Sequence, residues 1–88
     1  MTEPAAGPVR IEFLTRPGCH LCADAREVLR AVAVELGVGW VERDISADPD
    51  ELRRYADWIP VTLVDGFEHD YWRLSPDRLR AALEAPRR

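Results

Sequence analysis

In Val9-Arg10-Ile11-Glu12-Phe13-Leu14-Thr15-Arg16-Pro17-Gly18-Cys19-His20-Leu21-Cys22 a strand pattern gives way to a helix pattern at a pair of cysteines. Val9, Ile11 and Phe13 alternate with polar residues and Leu14 adds an apolar residue on the other face, so Val9 to Thr15 is expected as a central strand. Pro17 and Gly18 end it. The only two cysteines of the chain, Cys19 and Cys22, follow at once, where the apolar pattern changes from strand to helix.

Leu21, Ala25, Val28, Leu29, Val32 and Leu36 fall on one stripe of a helix, and Gly37 supplies the left-handed position that ends it. Val38 to Ile45 reads as a second strand. A strand, a helix and a strand in this order imply a parallel pair joined by a right-handed crossover. Asp48-Pro49-Asp50-Glu51 carries an acidic N-cap, a proline in the first turn and a glutamate placed to complete a capping box, so a short helix is expected to run to Tyr55 or Ala56. Val61 to Val64 is the third strand. Asp65-Gly66 predicts a two-residue hairpin turn, which makes Phe67 to Arg73 a fourth strand antiparallel to the third. Ser75-Pro76-Asp77 opens the last helix, with Leu79, Ala82 and Leu83 as its stripe and Pro86 as its stop.

The expected order is therefore β-α-β-α-β-β-α, an α/β domain with a four-stranded mixed sheet flanked by three helices. It covers residues 9–85, with tails at 1–8 and 86–88. A chain of 88 residues has room for one shared core and no second domain.

Twelve basic residues interleave with sixteen acids for a net charge of -4, which argues against a nucleic-acid partner. No segment is apolar over the length of a bilayer, and Met1 to Pro8 lacks the basic start and apolar run of a secretory signal. The expectation is a cytoplasmic monomer without membrane contact. In a reducing compartment two paired thiols point to catalysis or metal binding rather than to a structural staple. The pairs Asp50 with Arg54, Glu27 with Arg30 and Asp77 with Arg80 stand at helical spacing and read as solvated faces.

If Cys19 caps the helix, Cys22 lies one turn in, on the same side. The helix N-terminus carries partial positive charge and unpaired N–H groups, which favour a thiolate at Cys19. Arg16 before it and His20 after it add to that field. Cys22, further in and against the core, is expected to be less ionised, so the pair divides into an attacking and a resolving cysteine. His20 and His69 are the only histidines that could extend the pair toward zinc, and their spacing gives no closed four-ligand site, so no metal ligands are assigned. A cluster shared between two chains through Cys19 stays open as an alternative.

Thr15-Arg16-Pro17-Gly18-Cys19-His20-Leu21-Cys22, the Asp44-Ile45 step after the second strand, Ile59-Pro60-Val61 and Asp65-Gly66 together resemble the glutaredoxin-like branch of the thioredoxin superfamily. The resemblance covers Val9 to Ala85 and implies a thioredoxin-like fold. It further implies that Pro60 is cis beside the cysteine pair, that Ile59 offers its backbone to the bound thiol or peptide, and that Trp58 flanks the site. Arg16 falls where many glutaredoxins carry a lysine that supports the thiolate and a glutathione carboxylate. His20 resembles the histidine of strongly oxidising superfamily members in being enclosed by the cysteines, and has two readings, stabilising the Cys19 thiolate or standing as a solvent-exposed helix residue.

Two departures bear on the substrate. His20-Leu21 replaces the Pro-Tyr usual between the cysteines, and Arg73-Leu74-Ser75-Pro76-Asp77 replaces the paired glycines and acid that hold the glutamyl end of glutathione. Asp77 and the N–H groups at that helix start remain as a place for a carboxylate. The implied activity is a thiol-disulfide oxidoreductase with no required cofactor. Its substrates are disulfides of proteins or of a low-molecular-weight thiol, with glutathione one such thiol. The alternatives are a metal or iron–sulfur carrier acting through Cys19 and a thioredoxin-fold binding module without catalysis. Trp58 reads equally as core packing or as substrate-facing, whereas Trp40, Trp72 and His69 read as strand packing or surface.

Overall fold

Val9–Thr15 forms the first strand (β1), and in the computed structural model, which describes residues 8–85, it lies inside a four-stranded sheet. A helix (α1, His20–Leu36) follows, then β2 (Gly39–Asp44), a 3-10 turn (Ile45–Ala47), α2 (Pro49–Tyr55), β3 (Val61–Val64), β4 (Phe67–Tyr71) and α3 (Pro76–Glu84). β1 pairs with β2 in parallel and with β3 antiparallel, and β3 pairs antiparallel with β4. This is the expected mixed sheet with three helices. Of the expected tails, residues 1–7 and 86–88 lie outside the described residues, and the Pro8 carbonyl accepts from the Gly39 N–H at 3.0 Å.

β1 is central, so both of its faces are covered: Ile11, Phe13 and Leu14 have no exposed surface. Phe13 meets Trp40 of β2 edge to face at 6.5 Å between ring centroids. α1 buries Cys22, Ala25, Leu29, Val32 and Ala33, and packs on α3 through the same core that takes up Leu79 and Leu83. The buried stripe is centred slightly off the expected one. Leu21, Val28 and Leu36 are only partly covered, because Cys22 and Ala33 take the middle of the face. Arg10 ties three elements together. Its Nε and Nη2 donate to Asp65 at 3.0 and 2.7 Å, and its Nη1 donates to the Leu83 carbonyl in the last turn of α3 at 2.8 Å.

Several boundaries differ from the local reading, each for a visible reason. Asp44 ends β2 because its Oδ1 accepts from the N–H and hydroxyl of Ser46 at 2.9 and 2.7 Å, which curls Ile45–Ala47 into a 3-10 turn with Ile45 fully buried. β4 stops at Tyr71, not Arg73, since Trp72 takes a left-handed φ of 59°. The capping box of α2 is half made. Asp48 Oδ1 accepts from the N–H groups of Asp50 and Glu51, but the Asp48 N–H goes to the Ile45 carbonyl and the Glu51 carboxylate accepts from Arg43 at 2.7 and 2.9 Å. Arg54 pairs with Glu68 of β4 at 3.1 Å, while Asp50 pairs with Arg53.

Asp65 and Gly66, with φ of 52° and 85°, make the tight hairpin turn between β3 and β4. Val64 pairs with Phe67 and Leu63 with Glu68, but Thr62 pairs with Asp70, so His69 is an extra residue on β4. That bulge shifts everything beyond it by one place.

Candidate active site

Strand register brings four pieces of chain to one end of the sheet. β1 ends at Thr15 and leads through Arg16-Pro17-Gly18 into the helix carrying the cysteines. Leu14 pairs with Val61, so the Ile59-Pro60 step before β3 lies at that same end. Val61 pairs with Tyr71 beyond the bulge, so Trp72 lies there too. The Trp72 N–H donates to the Pro60 carbonyl at 2.9 Å and to the Trp58 carbonyl at 3.3 Å. The Ile59-Pro60 peptide bond is cis.

Gly18, with φ 79°, makes the turn that lets Cys19 become the N-cap of α1. The Cys19 sulfur accepts from the Cys22 N–H at 3.2 Å, doing for a helix start what a serine or aspartate oxygen does elsewhere. The two cysteines are joined as a disulfide, with Cα atoms 5.3 Å apart. Cys19 is half-buried, whereas Cys22 is 3% exposed and belongs to the core. Beneath them Arg26, one turn beyond Cys22, clamps α1 to β2. Its Nε and Nη2 each donate to Glu42 at 2.8 Å, and Thr15 Oγ1 donates to Glu42 Oε2 at 3.2 Å. Hydrogen bonds from Arg26, and less so its charge and the Thr15 hydroxyl, hold the Glu42 carboxyl below the usual range against the opposing effect of burial. The Arg26 guanidinium also lies 5.8 Å from the centre of the Phe13 ring.

Arg16 is exposed in the loop before Cys19, and His20 is exposed as the first residue of α1. Ile59 and Pro60 are buried at the sheet end. Trp58 is 44% exposed, so it is not core; it stacks on Trp72 at 5.2 Å with 23° between the planes and meets Tyr71 at 5.3 Å. Asp77 stands in the first turn of α3 with a side chain 94% exposed, and its carboxylate binds Arg80 at 3.0 Å. It joins neither the aromatic stack nor the cleft beside α1.

Trp72 is the residue that local reading misses. It is 47% exposed, its Nε1 donates to the Asp57 carbonyl at 2.8 Å, and it borders a cleft with Leu21, Asp24, Ala25, Val28, Arg73 and Leu74. An unbulged hairpin would place Tyr71 opposite Pro60. The extra residue at His69 puts Trp72 there instead.

The sequence pattern of the glutaredoxin-like domain family (DUF836) matches residues 10–84. The chain belongs to this glutaredoxin-like family. An uncharacterized protein of Mycobacterium tuberculosis is 36% identical over 77 residues, covering 82% of this glutaredoxin-like chain and 79% of the relative. A glutaredoxin-like protein of Dictyostelium discoideum is 32% identical over 85 residues, covering 86% and 76%. Among solved structures, a structural-genomics target protein from X. campestris matches with a TM-score of 0.71 at 28% identity, over 86% of this chain and 99% of its own. Thioredoxin 1 of Thermosipho africanus matches with a TM-score of 0.58 at 16% identity, over 84% and 89%, a likeness of fold. The glutaredoxin-like chain thus joins a thioredoxin-type sheet to a Cys-x-x-Cys pair at a helix start. Among the described residues, no helix is long and apolar enough to cross a membrane, and no group of three or more histidines, cysteines, aspartates or glutamates is gathered as metal ligands.

Proposed function

We propose that this glutaredoxin-like chain is a small thiol-disulfide oxidoreductase. The asymmetry of the pair supports this: the Cys19 sulfur caps the helix on a residue that is partly exposed, and Cys22 is buried in the core. In the reduced protein the Cys19 thiolate attacks one sulfur of a substrate disulfide, breaking that S–S bond. A mixed disulfide forms and one substrate thiolate leaves. Cys22 gives its proton to the departing thiolate and attacks the Cys19 sulfur, which forms the Cys19–Cys22 disulfide and releases the second substrate thiolate. Two electrons pass from the pair to the substrate, and a thiol donor restores the dithiol.

Four surrounding residues have a role in this scheme. Arg16 favours the Cys19 thiolate by charge and His20 stands next to it in the chain, while Ile59 and Pro60 line the place where the substrate sulfur arrives. Asp77, bound to Arg80, is left to the α3 surface. No resident cofactor is required, and the working unit is a cytoplasmic monomer acting on disulfides of proteins or of low-molecular-weight thiols.

The test is stoichiometric reduction of a disulfide by the reduced protein. Cys19→Ser is expected to abolish it, and Cys22→Ser to stop at a mixed disulfide seen as added mass. Undiminished reduction by Cys19→Ser would overturn the proposal.

A further inference from the structure

Trp72 holds a backbone conformation that a bulky side chain disfavours, with φ 59°. Its indole is nevertheless fixed from two sides, by the hydrogen bond to the Asp57 carbonyl and by the stack on Trp58. The two rings make a ridge beside the cysteine-bearing end of α1. One groove, of about 210 Å³, lies between Trp72 and the first turns of α1, where Leu21, Val28 and Leu74 give it an apolar lining. Another, of about 280 Å³, lies beyond Trp58 and is lined by Arg54, Tyr55, Glu68 and Tyr71.

Charge narrows the occupant. The first groove holds one acid, Asp24, and one base, Arg73. In the second, Arg54 is already paired with Glu68. Neither carries the surplus of positive charge that a small carboxylate-bearing thiol would seek, and Arg16 lines neither. Apolar and aromatic walls on both sides of a ridge suit an extended peptide, whose successive side chains point in opposite directions.

We propose that the cysteine pair acts on polypeptide disulfides, the Trp58–Trp72 ridge receiving the segment that carries the reacting cysteine, with an apolar or aromatic neighbour of that cysteine seated between Trp72 and Leu21. This rests on the oxidoreductase reading and gives it a substrate class.

The experiment mixes reduced protein with two disulfide-linked peptides, one with phenylalanine near each cysteine and one with glycine there, and with hydroxyethyl disulfide as a small uncharged comparison. Release of thiol is followed for each. The phenylalanine peptide is expected to react about tenfold faster than the glycine peptide, the scale of one apolar group in a pocket. Trp72→Gly brings that ratio close to one; glycine suits the left-handed backbone, so the fold is kept, as a thermal melt followed by circular dichroism verifies. Trp58→Ala lowers the ratio by a separate route. Equal rates for the two peptides, or a ratio unmoved by both substitutions, overturn the inference. If hydroxyethyl disulfide is reduced while the peptides are treated alike, the oxidoreductase reading stands and the substrate class falls; if the wild type reduces none of the three, both fall.

Discussion

The backbone N–H of Cys22 donates to the sulfur of Cys19 at 3.2 Å, so the sulfur occupies the N-cap of α1. A thiolate there gains from the N–H and from the helix dipole, whereas Cys22 is shut in the core. In reduced Cys22→Ser, iodoacetamide is expected to modify Cys19 with a pH midpoint below that of an ordinary thiol, about 8.5. Cys22 in the Cys19→Ser variant should react slowly. Arg16→Ala and His20→Ala should each raise the Cys19 midpoint, by less at high salt because both side chains are exposed. An ordinary midpoint for Cys19 would remove the capping argument.

His69, the extra residue of the β4 bulge, makes stability depend on pH. Burial pushes its pKa down, and Arg78 adds to this, against the raising effect of Asp70. The unfolded chain therefore binds a proton near pH 6.5, at about the ordinary value, before the folded chain does. The neutral-His69 contribution is complete above that pH and is lost as pH falls from it toward the lowered folded value. Urea midpoints are expected to drop across this window more steeply in the wild type than in His69→Gln. Parallel curves would contradict the burial argument.

Arg10 and Asp65 join β1 to the hairpin, with side chains 10% and 18% exposed. Asp65→Asn keeps a residue that tolerates positive φ but loses the charge. It is expected to lower stability by about 1–2 kcal/mol, toward the low end for a charged hydrogen bond because the pair is near the surface. Arg10→Met should cost at least as much, since it also abandons the Leu83 carbonyl. The double variant should be less damaged than the sum, as a denaturant cycle would measure.

The Arg26–Glu42 clamp should matter on the acid side. Its carboxyl is held low chiefly by the Arg26 hydrogen bonds, so its contribution is present above the ordinary value and disappears as pH falls through the lowered one. Glu42→Gln is expected to cost about 1 kcal/mol at neutral pH, after allowance for solvent screening, and to show a shallower decline below pH of about 4.5. Equal acid sensitivity in the variant and the wild type would count against the clamp.

Local pattern is enough to read the strand of Val9–Thr15, the stop at Gly37, the turn at Asp65-Gly66, the helix starts at Asp48 and Ser75, and the cysteine pair at the head of α1. Each is a short-range matter of φ preference, capping or apolar period, decided within a few residues. The places where local reading stops short are long-range. Arg54 chooses Glu68 across the sheet end, Glu51 turns to Arg43, and Ile45 leaves β2 for a 3-10 turn that buries it.

The order of the elements and the positions of the two sulfurs follow from local preferences along the chain. Which aromatic residue stands beside Pro60 follows from strand pairing instead. A single extra residue at His69 replaces Tyr71 with Trp72 there, because strand pairing counts residues one by one and no local preference records the count.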